Sequence, residues 1–253
     1  MTPADRAIPF PAGDRARVVE VAPDLDGEEL FRRLRLPEPR GTVILNGSTA
    51  ELRPHLVAPL GEVIAGVARF AVYHGLTVVT GATDAGIFSV LGSAMERRSA
   101  PLVGVAPAGL VGEPGEAPEP EPEQNPAGRE RLEPHHSHFV LVDGDEWGDE
   151  TQALLALAGA LGSRAPSAAV LCGGGAGARV EILGHCRAGR PVIVIAGSGR
   201  FADELAAAVS RSGEGVDPAV AEMVDGGEVV VCGLEDGPAA VTRALSRALG
   251  LTG

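Results

Sequence analysis

Apolar runs of four or five residues punctuate this chain, and several of them stop at a glycine-rich turn. Val43-Ile44-Leu45-Asn46 runs into Gly47-Ser48-Thr49, Leu76-Thr77-Val78-Val79-Thr80 into Gly81-Ala82-Thr83-Asp84-Ala85-Gly86, and Ala168 to Leu171 into Gly173-Gly174-Gly175-Ala176-Gly177. Runs this short and β-branched, with little polar alternation, predict strands covered on both faces and hence a parallel sheet. Pro101 to Val105, Phe139 to Val142, Pro191 to Ile195 and Glu228 to Val231 read the same way. Helical periodicity fills the intervals. Leu60 to His74 places Val63, Val67, Phe70 and Ala71 on one face, and Ile87–Arg98, Glu150–Leu161, Arg179–Ala188, Phe201–Ser210 and Pro238–Leu249 follow suit. Strand, glycine turn, helix, strand is the βαβ unit. The pattern predicts one doubly wound α/β domain over residues 41–253, with a mainly parallel sheet. Residues 1–40 form an N-terminal extension, with a short strand at Val18–Val21 and a helix over Glu28–Leu36.

The rhythm breaks once, over residues 108–134, where Glu113, Glu116, Glu119, Glu121 and Glu123 interleave with Pro114, Pro118, Pro120 and Pro122. Such a run forms neither a helix nor a central strand. It reads as an acidic loop inserted at the surface, either a plain solvated insertion or a lid over the site.

Charge and composition narrow the partners. The net charge is −13, and all 21 basic residues are arginine. An acidic surface argues against a nucleic-acid backbone as partner, although a local arginine can still meet a phosphate. Without lysine there is no Schiff base and no Walker A loop. The three cysteines, Cys172, Cys186 and Cys232, lie too far apart for a zinc pattern or a disulfide framework and read as buried thiols. The N-terminus has no apolar signal segment, so a cytoplasmic location with no membrane partner is expected. Aromatic residues make up 3%, so stacking on a base rests on very few side chains.

The glycine turns carry the candidate chemistry. At Gly173–Gly177, Gly174, Gly175 and Gly177 let a ligand approach the backbone at a helix N-terminus, where free N–H groups favour a phosphate. Gly197-Ser198-Gly199-Arg200 is a second anion candidate: Ser198 offers a hydroxyl, Gly199 a close approach, and Arg200 a two-pronged clamp. At the third turn, Gly81 to Gly86, Thr83 offers a hydroxyl, and Asp84 either accepts from a ribose or caps the next helix. Gly47 and Ser48 repeat the theme at the first strand. Glu181 lies about one turn into the helix after Gly177 and is the candidate catalytic acid, or else a favourable first-turn charge. His135-His136-Ser137-His138 lacks a fourth ligand at zinc spacing, so His136 and His138 are expected to line the pocket, with no metal.

The stretch Leu132-Glu133-Pro134-His135-His136-Ser137-His138-Phe139-Val140-Leu141-Val142-Asp143 resembles the signature of the nucleotide-sensing domain at the N-terminus of TRPM cation channels. That domain belongs to the SLOG superfamily of Smf/DprA and Lonely-guy-like modified Rossmann domains, which has stand-alone bacterial members. The glycine turns fall in the order that group shows, and the resemblance spans about residues 40–250. It implies a Rossmann-like fold and the binding or sensing of a nucleotide derivative such as ADP-ribose or NAD, with no further cofactor. Exposed helices on such sheets often pair, so a homo-oligomer is expected. The Lonely-guy relatives imply an alternative, phosphoribohydrolase-type cleavage of an N-glycosidic bond. Of their motif Pro-Gly-Gly-x-Gly-Thr-x-x-Glu, this chain keeps Gly174, Gly175, Gly177 and Glu181, and has Gly173 for the proline and Ala178 for the threonine. The superfamily also includes a DNA-handling member, which the charge of this chain argues against.

Overall fold

The computed structural model describes residues 5–10, 15–47, 53–95, 100–112, 129–212 and 215–251. Most of the acidic insertion, 113–128, and Ser48 lie outside the described residues. Nine strands form one sheet in the order β1-β2-β8-β5-β4-β3-β9-β10-β11. They are β1 (Arg6–Pro9), β2 (Arg15–Val21), β3 (Thr42–Asn46), β4 (Thr77–Gly81), β5 (Leu102–Pro107), β8 (His138–Val142), β9 (Ser167–Leu171), β10 (Val192–Ala196) and β11 (Val229–Gly233). Every pairing is parallel except β1 with β2. The Rossmann-like doubly wound fold expected from the pattern is present.

Alternate residues of each strand feed two cores. Ile44, Ala169, Leu171, Val192 and Val194 meet α1 (Gly27–Leu34), α4 (Thr151–Gly162), α5 (Ala176–Arg187), α6 (Arg200–Ser210) and α7 (Pro218–Gly226) on one face. Val43, Leu45, Ala168, Val170, Ile193 and Ile195 meet α2 (Pro54–His74), α3 (Gly86–Ala94) and α8 (Gly237–Ala248) on the other. This double burial explains why the strands read as continuous apolar runs. Beyond α3, the second face is covered by a smaller cluster that joins Phe139 and Leu141 of β8 to Val111 and Leu132. Those two residues flank the acidic insertion, whose ends pair as β6 (Val111–Gly112) with β7 (Glu130–Arg131).

Three elements differ from the sequence expectation. α2 begins at Pro54, because Pro54 suits a first helical turn and the helix tolerates Pro59 inside it. α7 was not foreseen, although Asp217-Pro218 is a start signal: the Asp217 carboxylate accepts from the Ala219 N–H at 2.9 Å. The N-terminal extension contributes β1, β2 and α1 to the same layers, with β2 paired in parallel to β8.

α1 sits against α4 through Gly27, where a Cβ would stand 2.1 Å from the carbonyl oxygen of Ala156. Gly27→Ala must push the two helices apart and is expected to cost roughly 1–3 kcal/mol in urea unfolding. Gly159→Ala, on the open side of α4 with nothing within 4 Å of the new methyl, is the control. It is expected to stabilise by roughly 0.5–1 kcal/mol, as helical Gly→Ala does where there is room.

Candidate functional site

β3 pairs on one side with β4 and on the other with β9, and the chain proceeds outward from this point in both directions. Parallel strands whose connections diverge leave a crevice at their carboxyl ends, the usual ligand site of such sheets. A cavity of about 310 Å³ opens there. Gly47 lines it after β3, Gly81 and Thr83 after β4, Val105 from β5, and Gly175, Gly177 and Glu181 from the start of α5. Trp147, Gly148 and Glu150, from the turn between β8 and α4, complete it. Three glycine turns distant in sequence thus meet here, since the topology stacks the ends of β3, β4 and β9 side by side, whereas the Gly197–Arg200 turn after β10 contributes no lining residue.

Gly173 and Gly174 adopt φ of 64° and 87°, which lets the chain reverse between β9 and α5. α5 then starts at Ala176 with no side chain capping it, so its first N–H groups point at the cavity mouth. The guanidinium of Arg200 lies over this end, with Nη2 3.1 Å from where a Gly175 Cβ would be. Arg200 holds a left-handed φ of 54°, a conformation that costs an arginine energy. The second glycine turn serves the first. Ser198 is buried, its hydroxyl accepting the Gly173 N–H at 2.8 Å and donating to the Ile195 carbonyl at 2.5 Å. The leading amides of α6, Phe201 and Ala202, donate to the carbonyls of Gly174 and Gly173. Gly199 is the N-cap of α6. The Gly197–Arg200 turn therefore braces the anion-type turn and contributes its arginine, while its own amides are in part engaged.

Glu181 sits among protein atoms on nearly every side, with its remaining exposure facing the cavity. Burial pushes its carboxyl up to about 7; the Asn46 Nδ2 donor at 2.8 Å opposes this and the nearby Glu150 adds to it. Glu150 is also raised, chiefly by burial, although the Gly148 N–H donates to it at 2.7 Å. Two acids whose charged forms are disfavoured thus share one cavity. Two buried oxygens near them, Asn46 Oδ1 and Thr83 Oγ1, have no hydrogen-bond partner. Buried polar atoms left unpaired are costly, and a ligand with matching groups would relieve that cost.

Other expected residues lie elsewhere. Asp84 is exposed and accepts from the Ser89 hydroxyl at 2.6 Å, a local helix-start contact, and Gly86 begins α3. His136 and His138 do not line the cavity. His136 is fully buried, stacked on Phe139, with Nδ1 2.7 Å from Glu133 Oε2. His138 opens β8, at the end of the strand opposite the crevice, with Nδ1 2.8 Å from the Ser137 hydroxyl. The reason is geometric: the histidine run precedes its strand, whereas ligand groups follow theirs. Trp147 and Glu150 line the cavity although the pattern did not single them out. The available signal was their place just after β8, in a glycine-broken acidic turn holding the single tryptophan of the chain.

The raised carboxyl of Glu181 has a consequence for stability. Between its ordinary 4.5 and about 7, the folded state keeps a proton that the unfolded chain has released. Stability therefore falls as pH rises through that window, by an amount on the order of 3 kcal/mol. Glu181→Gln removes this loss. The gap between variant and wild type in urea unfolding is expected to shift toward the variant by on the order of 3 kcal/mol from about pH 4 to about pH 8.

Similarity to known proteins agrees with this architecture. The X-ray structure of TM1055, a structural genomics target, superposes with a TM-score of 0.53 at 19% identity, over 82% of this chain and 99% of that one. That likeness speaks for the fold alone. No curated protein matches the chain. Residues 40–243 match the model of the family described as SLOG in TRPM, prokaryote, and the chain belongs to that family.

Proposed function

We propose that the cavity binds a phosphate-bearing nucleotide derivative, of the kind represented by ADP-ribose or NAD. One observation carries this reading: α5 opens uncapped onto the cavity, with the Arg200 guanidinium beside Gly175. Free amides, the positive end of a helix dipole and a planar donor fork are what a pyrophosphate needs. The unpaired Oγ1 of Thr83, a residue that lines the cavity, suits a ribose hydroxyl. Trp147 is 52% exposed at the rim, where an aromatic face suits a base. At about 310 Å³ the cavity stands at the lower end of small-molecule sites, roughly 300–1,000 Å³, so part of the ligand lies along the open start of α5.

Calorimetric titration against ADP-ribose, NAD, AMP and adenosine tests the proposal, and silence across the panel overturns it. Arg200→Ala is expected to weaken the phosphate-bearing ligands by roughly 1.5–3 kcal/mol and to leave adenosine unchanged. Equal losses for both would place the phosphate elsewhere.

The raised Glu181 carboxyl favours a second reading, hydrolysis of an N-glycosidic bond. With a purine nucleotide such as AMP, Glu181, protonated near neutral pH, would give its proton to the departing base nitrogen while water adds to the anomeric carbon and returns its surplus proton to the carboxylate. Incubation with AMP and NAD followed by chromatography checks for free base. If turnover occurs, Glu181→Gln is expected to lower the rate roughly 100-fold or more with little change in affinity. Tight binding without product leaves the binding reading alone.

A further inference from the structure

Most apolar side chains of α2 pack into the core, Leu56, Phe70 and Val72 among them, but two large ones, Val57 and Tyr73, stay exposed. Its inner face, with Val63, Ile64, Val67 and Ala71, packs into the core. Its outer face follows a three-and-four spacing through Ala58, Glu62, Ala65, Arg69 and Tyr73. Tyr73 is 85% exposed, and Val57 beside this row is 49% exposed. Among the described residues, Glu62 and Arg69 make no ion pair, and none of these side chains lines the cavity.

The two charges decide what fits this face. Glu62 and Arg69 lie at equal distances on either side of the midpoint between Ala65 and Gly66, and so do Ala58 and Tyr73. A row with this symmetry is complementary to itself when reversed. We propose that the outer face of α2 is a homodimer interface, on which a second copy packs its own α2 antiparallel across a two-fold axis beside Ala65. Glu62 then faces Arg69 of the partner subunit, and Arg69 faces Glu62 of the partner subunit. The ring of Tyr73 lies over the small Ala58 of the partner subunit, and the reverse contact follows by symmetry. A parallel arrangement would instead set Glu62 against Glu62 of the partner subunit. The apolar area drives the association, whereas exposed ion pairs, worth little singly, choose the direction and register. A lipid surface fits less well, because a helix lying flat on it would press Glu62 and Arg69 into hydrocarbon.

Light scattering coupled to size exclusion on the full chain is expected to give a dimer; a monomer overturns the proposal. Glu62→Arg and Arg69→Glu are each expected to raise the dimer dissociation constant roughly tenfold or more, since each sets like charges face to face twice. The double variant Glu62→Arg, Arg69→Glu restores opposite pairs and is expected to dimerise as the wild type does. Both side chains are exposed, and circular dichroism checks that each variant stays folded. A dimer indifferent to the single changes, or a double variant that stays weak, places the interface elsewhere. A monomer that cosediments with phosphatidylcholine–phosphatidylserine vesicles overturns the proposal in favour of a membrane role for the same face.

Discussion

Pairing of β3 with β9 is the constraint on which the rest of this molecule depends. In that register Asn46 stands beside Leu171, and the Cys172 N–H closes on the Asn46 carbonyl at 3.0 Å. Two strand ends far apart in sequence are thereby held together, and everything at the crevice inherits its position from them. The turn after β9 must reverse through left-handed glycines, which sets α5 pointing away from the cavity with its amides toward it. One turn into α5, Glu181 arrives within hydrogen-bonding distance of Asn46, a residue 135 positions earlier. Slipping β9 by one residue would exchange its two faces and carry Glu181 away from Asn46.

The histidine stretch acts at one remove from this crevice. Burial would raise the Glu133 carboxyl, but hydrogen bonds and charge from His136 and His135 outweigh it and hold Glu133 below the usual carboxylate range. The backbone around this cluster is tied to the turn after β4. The Glu133 N–H donates to the Ala82 carbonyl at 2.9 Å, and the Asp84 N–H to the Arg131 carbonyl at 2.7 Å. Thr83 bridges Leu132 between them. The histidine stretch thus fixes the loop that carries Thr83, a residue lining the cavity, without lining the cavity itself.

This division explains what the sequence could show. Strand ends and glycine turns are local facts, so the places of Gly47, Gly81, Thr83, Gly175, Gly177 and Glu181 were legible from short windows and one topological rule. Two kinds of information were not local. Whether Ser198 meets a ligand or another turn depends on which carbonyl and amide stand opposite it, and here these belong to Ile195 and Gly173. Likewise, Trp147 and Glu150 enter the site because the crossover from β8 to α4 passes over the mouth of the crevice, a path that periodicity does not encode. The histidines misled for a related reason: three imidazoles in four positions look like chemistry, but they stand at the start of β8, at the end of the sheet opposite the crevice.

A protein of net charge −13 can still hold an anion, because charge acts over a limited range. At physiological salt, exposed charges are largely screened beyond about 8 Å, so the ligand responds to the groups around α5 rather than to the whole surface. Those groups are the positive helix terminus, roughly half an elementary charge, the Arg200 guanidinium and a Glu181 carboxyl that burial keeps from ionising in full. The raised Glu181 is thus part of how an acidic chain can make a locally hospitable crevice: a carboxyl that keeps its proton does not repel phosphate. A polynucleotide is in a different position. Its charges would extend over many screening lengths of acidic surface, with no equivalent of α5 and Arg200 at each step. The same electrostatics that would admit one small anion to the crevice disfavour a long strand across it.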